Sequence, residues 1–259
     1  MNFDTLLFSI EEQIATITIN RPDKMNALNK DVINDLSKAI DEVIQNNEIK
    51  SAIITGAGAK AFVAGADITE FISLSKEQGA ALAQKGQQEV FDKIENCPKP
   101  IVAAVNGFAL GGGCELAMSC HFRVAAENAK FGQPEVNLGL IPGYGGTQRL
   151  TALVGKGKAM ELCMTTHMPD ANEALQIGLV NHVTTAETLL EHTKKILSII
   201  NTKSPMAIGK LIKSINAAGR ADGYNVEIQA FGECFDTADM KEGVSAFLEK
   251  RKANFSTNN

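Results

Sequence analysis

The sequence predicts an α/β fold in which strands alternate with helices before the chain ends in a helical segment. Three observations carry that expectation. Short apolar runs of strand length recur through the first half, helical patterns of ten or more residues separate them, and from about Gly143 onward the apolar spacing is almost wholly helical. Strands joined by crossover helices form sheets with both faces covered, so near-continuous apolar strands fit this class.

Residues 3–9 and 13–19 are two short runs parted by Glu11-Glu12, the second alternating Ile14, Thr16 and Thr18 with Ala15, Ile17 and Ile19. They read as a β-hairpin. Val32, Ile33, Leu36, Ala39, Ile40, Val43 and Ile44 then fall at helical spacing, with Asp35, Lys38, Asp41 and Glu42 between them. This is an amphipathic helix. Residues 51–55 form a strand ending at Gly56, a helix covers about 76–95, and residues 101–105 form a buried strand closed by Asn106-Gly107. Asp170 with Glu173, and Thr184 with Glu187, have the spacing of helix caps. Later helices are expected over 187–200, 205–218, 224–235 and 240–252. The chain therefore divides into a core over residues 1–200 and a helical oligomerisation region over 201–259.

Composition narrows the function classes. The 259 residues carry 25 Lys+Arg and 30 Asp+Glu, a formal charge of −5, and this mild acidity argues against a nucleic-acid binder held by phosphate contacts. Hydrophobic residues are 44% and charged residues 21%, a globular balance. No apolar run approaches the roughly 18 to 20 residues of a membrane-spanning helix, and the first residues lack the pattern of a secretory signal. Cys97, Cys114, Cys120, Cys163 and Cys234 are odd in number and scattered, with no metal-ligand spacing. Reduced core thiols, no metal site and a cytoplasmic location are expected.

Glycine motifs need sorting before chemistry is assigned. Gly56-Ala57-Gly58-Ala59-Lys60-Ala61 matches part of a dinucleotide fingerprint, but the stretch after it, Phe62 to Asp67, is too glycine-rich to open a helix, so that reading is rejected. Gly155-Lys156-Gly157-Lys158 lacks the phosphate-loop spacing. More informative is Gly111-Gly112-Gly113-Cys114-Glu115, which comes after a buried strand and precedes a helix-forming run. Bare N–H groups at such a helix start suit a developing oxyanion. From this segment alone Glu115 reads equally as a first-turn acid and as a catalytic one. Glu135, 20 residues on in another apolar stretch punctuated by glycine and proline, supplies a second carboxyl. Two such acids could divide acid and base work if the fold brings them together.

These segments together resemble the enoyl-CoA hydratase (crotonase) family. The resemblance rests on Phe62-Val63-Ala64-Gly65-Ala66-Asp67-Ile68, the stretch from Ala104 to Glu115, Phe131-Gly132-Gln133-Pro134-Glu135 and Gly143-Tyr144-Gly145-Gly146-Thr147-Gln148-Arg149-Leu150, in family order. It implies a spiral of β-β-α units with a helical trimerisation region, assembled as a dimer of trimers. It also implies that Ala66 and Gly112 provide oxyanion-hole N–H groups, that Glu115 and Glu135 form the hydratase pair, and that the Gly143 backbone positions water. Coenzyme A contacts would fall at Ala64, Ala66, Asp67, Ile68, Phe247 and Lys250. His121 stands where relatives often carry Asp, with a structural consequence expected. The implied reaction is reversible hydration of trans-2-enoyl-CoA, with no cofactor beyond the coenzyme A of the substrate. The alternative is a Δ3,Δ2-enoyl-CoA isomerase. Some family members bind RNA through a lysine-rich first helix. Here residues 30–50 hold three lysines against five acids, which argues against phosphate binding.

Overall fold

The computed structural model describes residues 3–255. Strands β1 (Leu6–Glu11) and β2 (Ile14–Ile19) form the expected hairpin, whose two turn residues Glu12 and Gln13 both take positive φ, 50° and 67°. A two-residue turn of that hand matches the twist of the strands it joins. Helix α1 (Lys30–Gln45) comes next, capped by the Asn29 side chain, which accepts from the Val32 N–H at 3.0 Å. Its apolar stripe is buried as the spacing requires. Asp35 is buried with it, accepting from the N–H groups of Asp4 and Thr5 and from the Thr5 hydroxyl at 2.9–3.2 Å.

A repeating unit then sets the architecture. β3 (Ser51–Gly56), β5 (Ile101–Val105) and β7 (Phe122–Ala126) add in parallel to one sheet, ordered β1-β2-β3-β5-β7-β9 with β9 at His182–Thr184. The short strands after each of them, β4 (Ala61–Ala64), β6 (Phe108–Leu110) and β8 (Lys130–Gly132), form a second parallel sheet ordered β4-β6-β8. Each strand pair is followed by helical chain. After β4 come α2 (Lys76–Gly86), one π-helical turn (Gln87–Phe91) and α3 (Asp92–Glu95); after β6 comes α4 (Gly112–Ser119); after β8 come a 3-10 turn (Glu135–Leu138) and α5 (Gly146–Val154). This is the β-β-α spiral that the resemblance implies.

The core reflects strand periodicity. Ala52, Ile54, Ile101, Ala103 and Val105 face the cluster that also holds α1 and the small sheet. Ile53, Val102, Ala104, Val124 and Ala126 face the other way, against Leu189 and Leu197. Successive side chains of a strand point to opposite faces, so buried strands must be apolar at every position. Leu189 and Leu197 belong to α8 (Leu189–Ile200), which is reached through α6 (Lys156–Thr165) and α7 (Ala171–Gln176). The chain closes with α9 (Pro205–Asn216), α10 (Gly223–Cys234) and α11 (Ala238–Leu248).

The structure corrects the local reading at one cap. Asp170 caps α7 through the Glu173 N–H at 2.9 Å, as expected. Thr184 caps no helix: it ends β9, and α8 begins only at Leu189 with Thr188 as its N-cap. Pairing of β9 with β7 claims the Thr184 backbone. The element after Gly56 is the strand β4, not a helix, which agrees with rejecting a dinucleotide fingerprint there. Cys97, Cys114, Cys120, Cys163 and Cys234 are all free thiols. The His121 ring Nδ1 accepts from the Ile101 N–H at 2.8 Å, and burial depresses its pKa to about 4, so it stays neutral beneath the sheet. No described helix is long and apolar enough to cross a membrane.

Candidate active site

The segments singled out by sequence converge on a cavity of about 590 Å³, lined among others by Ala64, Ala66, Ile68, Gly112, Glu115, Glu135 and Gly143. Topology explains the convergence. Residues after β4, β6 and β8 leave adjacent, parallel strands of the small sheet at the same edge, the end at which ligands meet parallel sheets.

Two residues expected to supply backbone donors, Ala66 and Gly112, line this cavity. Leu28 pairs with Ala66 as an isolated parallel bridge, its N–H donating to Gly65 O at 2.9 Å and its carbonyl accepting from Asp67 N at 2.7 Å. Alternating backbone direction turns the Ala66 N–H away from that bridge. Gly112 opens α4, where first-turn N–H groups have no partner within the helix. Neither N–H has a backbone acceptor among the described residues. Gly111 supports the turn with φ 50° and ψ −124°, a conformation suited to glycine. A Cβ there would also lie 2.9 Å from a carboxylate oxygen of Glu135.

Glu115 is 2% exposed in the first turn of α4. Its Oε1 accepts from the N–H groups of Tyr144 and Gly146, both at 2.7 Å. Gly146 is required by this approach, since a Cβ would lie 2.8 Å from the same oxygen. Burial drives the Glu115 pKa up to about 7; the two N–H donors and Arg149 oppose the rise, and Glu135 adds to it. Glu135 begins the 3-10 turn after Pro134 and is half-buried, and desolvation raises its pKa as well. With its amide nitrogen turned toward the acid, Gln133 donates to the two carboxylate oxygens of Glu135 at 2.9 and 3.1 Å. Two carboxyls raised toward neutrality and facing one cavity are suited to exchanging protons there.

The remaining wall is mostly apolar and includes Phe71, Leu74, Leu82, Leu138, Leu140 and Ile141, with Ser75 and Lys76 beside them. Tyr144 lines it too, its ring stacked on Phe91 with centroids 4.8 Å apart. Sequence reasoning missed Gln133, Gln87 and Arg149. Gln87 donates to Gly143 O at 2.8 Å, and Arg149 to Tyr144 O at 2.8 Å, so both brace the loop that holds Glu115. Gln133 and Arg149 lay within the segments that carry the family resemblance but were given no role, and Gln87 had no signal beyond a polar residue in a helical pattern.

Three expected coenzyme contacts lie apart from the cavity wall. Asp67 turns toward Arg21, 3.7 Å away, and caps a 3-10 turn by accepting from the Thr69 N–H at 3.4 Å, with the Thr69 hydroxyl also donating to it at 2.7 Å. Phe247 is 82% exposed at the end of α11, and Lys250 comes just after it in a left-handed turn with φ 57°. Among the described residues, no group of three or more His, Cys, Asp or Glu side chains is placed to hold a metal ion.

Known proteins share this sequence and architecture. The chain is 50% identical over 258 residues to a crotonyl-CoA hydratase of Syntrophomonas wolfei, covering 98% of this chain and 99% of that one. It is 46% identical over 255 residues to a short-chain-enoyl-CoA hydratase of Clostridium acetobutylicum, covering 97% of each. The crystal structure of an enoyl-CoA hydratase from Bacillus anthracis superposes with a TM-score of 0.91 at 34% identity, over 98% of this chain and 100% of that one. Residues 9–258 match the enoyl-CoA hydratase/isomerase family, and the chain belongs to it.

Proposed function

We propose that the protein catalyses the reversible hydration of short trans-2-enoyl-CoA thioesters to 3-hydroxyacyl-CoA. The observation that carries this reading is the placement of two raised-pKa glutamates and two unpaired backbone donors around one apolar-walled cavity. The names of the two curated relatives support the substrate class.

The geometry suggests the chemistry. A thioester carbonyl between the Ala66 and Gly112 N–H groups is polarised, which makes the conjugated β-carbon electrophilic. As water adds at that carbon, negative charge collects on the thioester oxygen and is stabilised by both donors, a contribution of roughly 10²- to 10³-fold per donor. One glutamate takes a proton from the water, and the other delivers a proton to the α-carbon, so the sum is water added across the double bond. Glu115, held by two N–H groups, and Glu135, held by Gln133, can fill these roles only in opposite protonation states. The Glu135 charge raises the Glu115 pKa, which favours that arrangement. The Gly143 backbone also lines the cavity, and in this reading it helps to orient the water. Moving a double bond needs only one proton shuttle, so the paired acids favour hydration over isomerisation. The reaction is redox-neutral and places no demand on a hydride or electron acceptor.

Self-association completes the reading. Leu211, Ile215, Tyr224, Ile228, Phe231 and Phe235 expose apolar surface on and just after α9 and α10. Copies that each cover this face of the next would close into a trimer, two of which make a hexamer, and would bring Phe247 and Lys250 toward a neighbouring cavity. Purified protein mixed with crotonyl-CoA and a chelator should bleach the conjugated enoyl-thioester absorbance until equilibrium. No bleaching with crotonyl-CoA or longer enoyl-CoA substrates would overturn the proposal.

A further inference from the structure

We propose that Arg149 is a positioning residue for Glu115: its guanidinium fixes the 142–146 loop whose N–H groups hold the carboxylate, and its charge lowers the pH at which that carboxylate exchanges its proton. The Arg149 side chain is only 9% exposed. Nη1 donates to Tyr144 O at 2.8 Å, while Nη2 reaches Glu95 at 2.6 Å and Asp92 at 3.0 Å, and Nε donates to Glu95 at 3.2 Å. The loop wraps closely around it, because a Cβ at Gly145, whose φ is 92°, would overlap Nη1.

The consequence for Glu115 is direct. Residue 144 is clamped from both sides, its N–H donating to Glu115 and its carbonyl accepting from Arg149. A planar fork with five donors can brace a loop and bind two acids together, which a lysine cannot do. The Arg149 charge also reaches Glu115 and favours the carboxylate, against burial and Glu135. Other neighbours bear less on the balance. Cys114 on the same helix and Tyr144 are both pushed up to about 12 and stay neutral. Arg123 on β7 is buried on the far side of α4, donating to the carbonyls of Leu179 and Cys120. Asp92 and Glu95 on α3 face Arg149 and temper its field.

The effect on titration is independent of the proposed function; the effect on rate rests on that function. Carbon-detected NMR of glutamate-labelled protein, with Glu115 assigned by its loss in Glu115→Gln, reads the first. The pH profile of kcat/KM on crotonyl-CoA reads the second. Arg149→Met should raise the Glu115 midpoint by roughly 0.5 to 1 unit, and Arg149→Lys, which keeps the charge, should restore most of it. Glu95→Gln leaves Arg149 less compensated and should move the midpoint down. Opposite shifts from two residues joined in one ion pair are not produced by loosening the fold. An unmoved midpoint in folded Arg149→Met and Glu95→Gln would overturn the inference, and Glu95→Gln alone decides it if Arg149→Met does not fold. If the midpoint moves as expected while the rate profile does not, the inference holds and the proton-transfer role of Glu115 fails.

Discussion

At the scale of single residues, Glu115 is held at a cost to stability. In the folded chain it keeps its proton up to about pH 7, whereas the ordinary value is 4.5. The folded state therefore binds more protons between those values, so the stability Glu115 contributes is fully present below about 4.5 and is lost as pH rises through about 7. Glu115→Gln keeps an oxygen for the Tyr144 and Gly146 donors and never ionises. Chemical denaturation should find this variant more stable than wild type at pH 8, by up to about 3 kcal/mol, with the gap closing toward pH 4.5. A gap independent of pH would show that Glu115 is not raised. Both Glu115 and Glu135 were legible in the sequence because each is an acid set among apolar residues and glycines. The roles of Arg149 and Gln87 were not, since their partners are fixed by contacts rather than by local pattern: Arg149 meets Glu95 across 54 positions, and Gln87 meets Gly143 across 56.

At the scale of elements, strong periodicity survived into the structure and weak signals did not. Strand β2 and α1 lie where their spacing put them, because one buried face dictates the pattern, whereas β1 is shifted to Leu6–Glu11 from the expected 3–9 and the turn falls at Glu12-Gln13. The strands β6, β8 and β9 have three residues each, too few for alternation to show, and β4 hides in a run of small residues. That small sheet nevertheless builds the site. The helix expected over 76–95 is interrupted by the π turn at Gln87–Phe91, which buries Val90 and Phe91 and sets Phe91 under Tyr144. Asp35 departs from its expected solvent position because it ties α1 to the backbone before β1. Asp35→Ala should strand three donors, of which those on Thr5 are buried, and destabilise the protein by roughly 2 to 4 kcal/mol. A midpoint unchanged in urea would mean that water replaces the carboxylate without loss.

At the scale of the whole molecule, the helices after residue 200 offer more apolar surface than a lone chain keeps in water. Phe231 and Ile228 are each 67% exposed and Tyr224 is 84% exposed, and contiguous surface of this kind marks an interface. Sedimentation should therefore find a trimer or hexamer, and Ile228→Lys with Phe231→Glu should lower the mass toward a monomer. Wild-type protein that sediments as an active monomer would contradict a site completed by a neighbour.

The spiral fold, the cavity and the paired acids meet in one claim, that two glutamates divide the proton transfers of hydration. Turnover of crotonyl-CoA by wild type, Glu115→Gln and Glu135→Gln, with the affinity of each for an unreactive acyl-CoA measured alongside, tests it most directly. Each variant should bind the unreactive thioester nearly as wild type does, yet lose roughly 10²- to 10⁴-fold in kcat. A correctly folded variant of either kind with near wild-type kcat would contradict the claim.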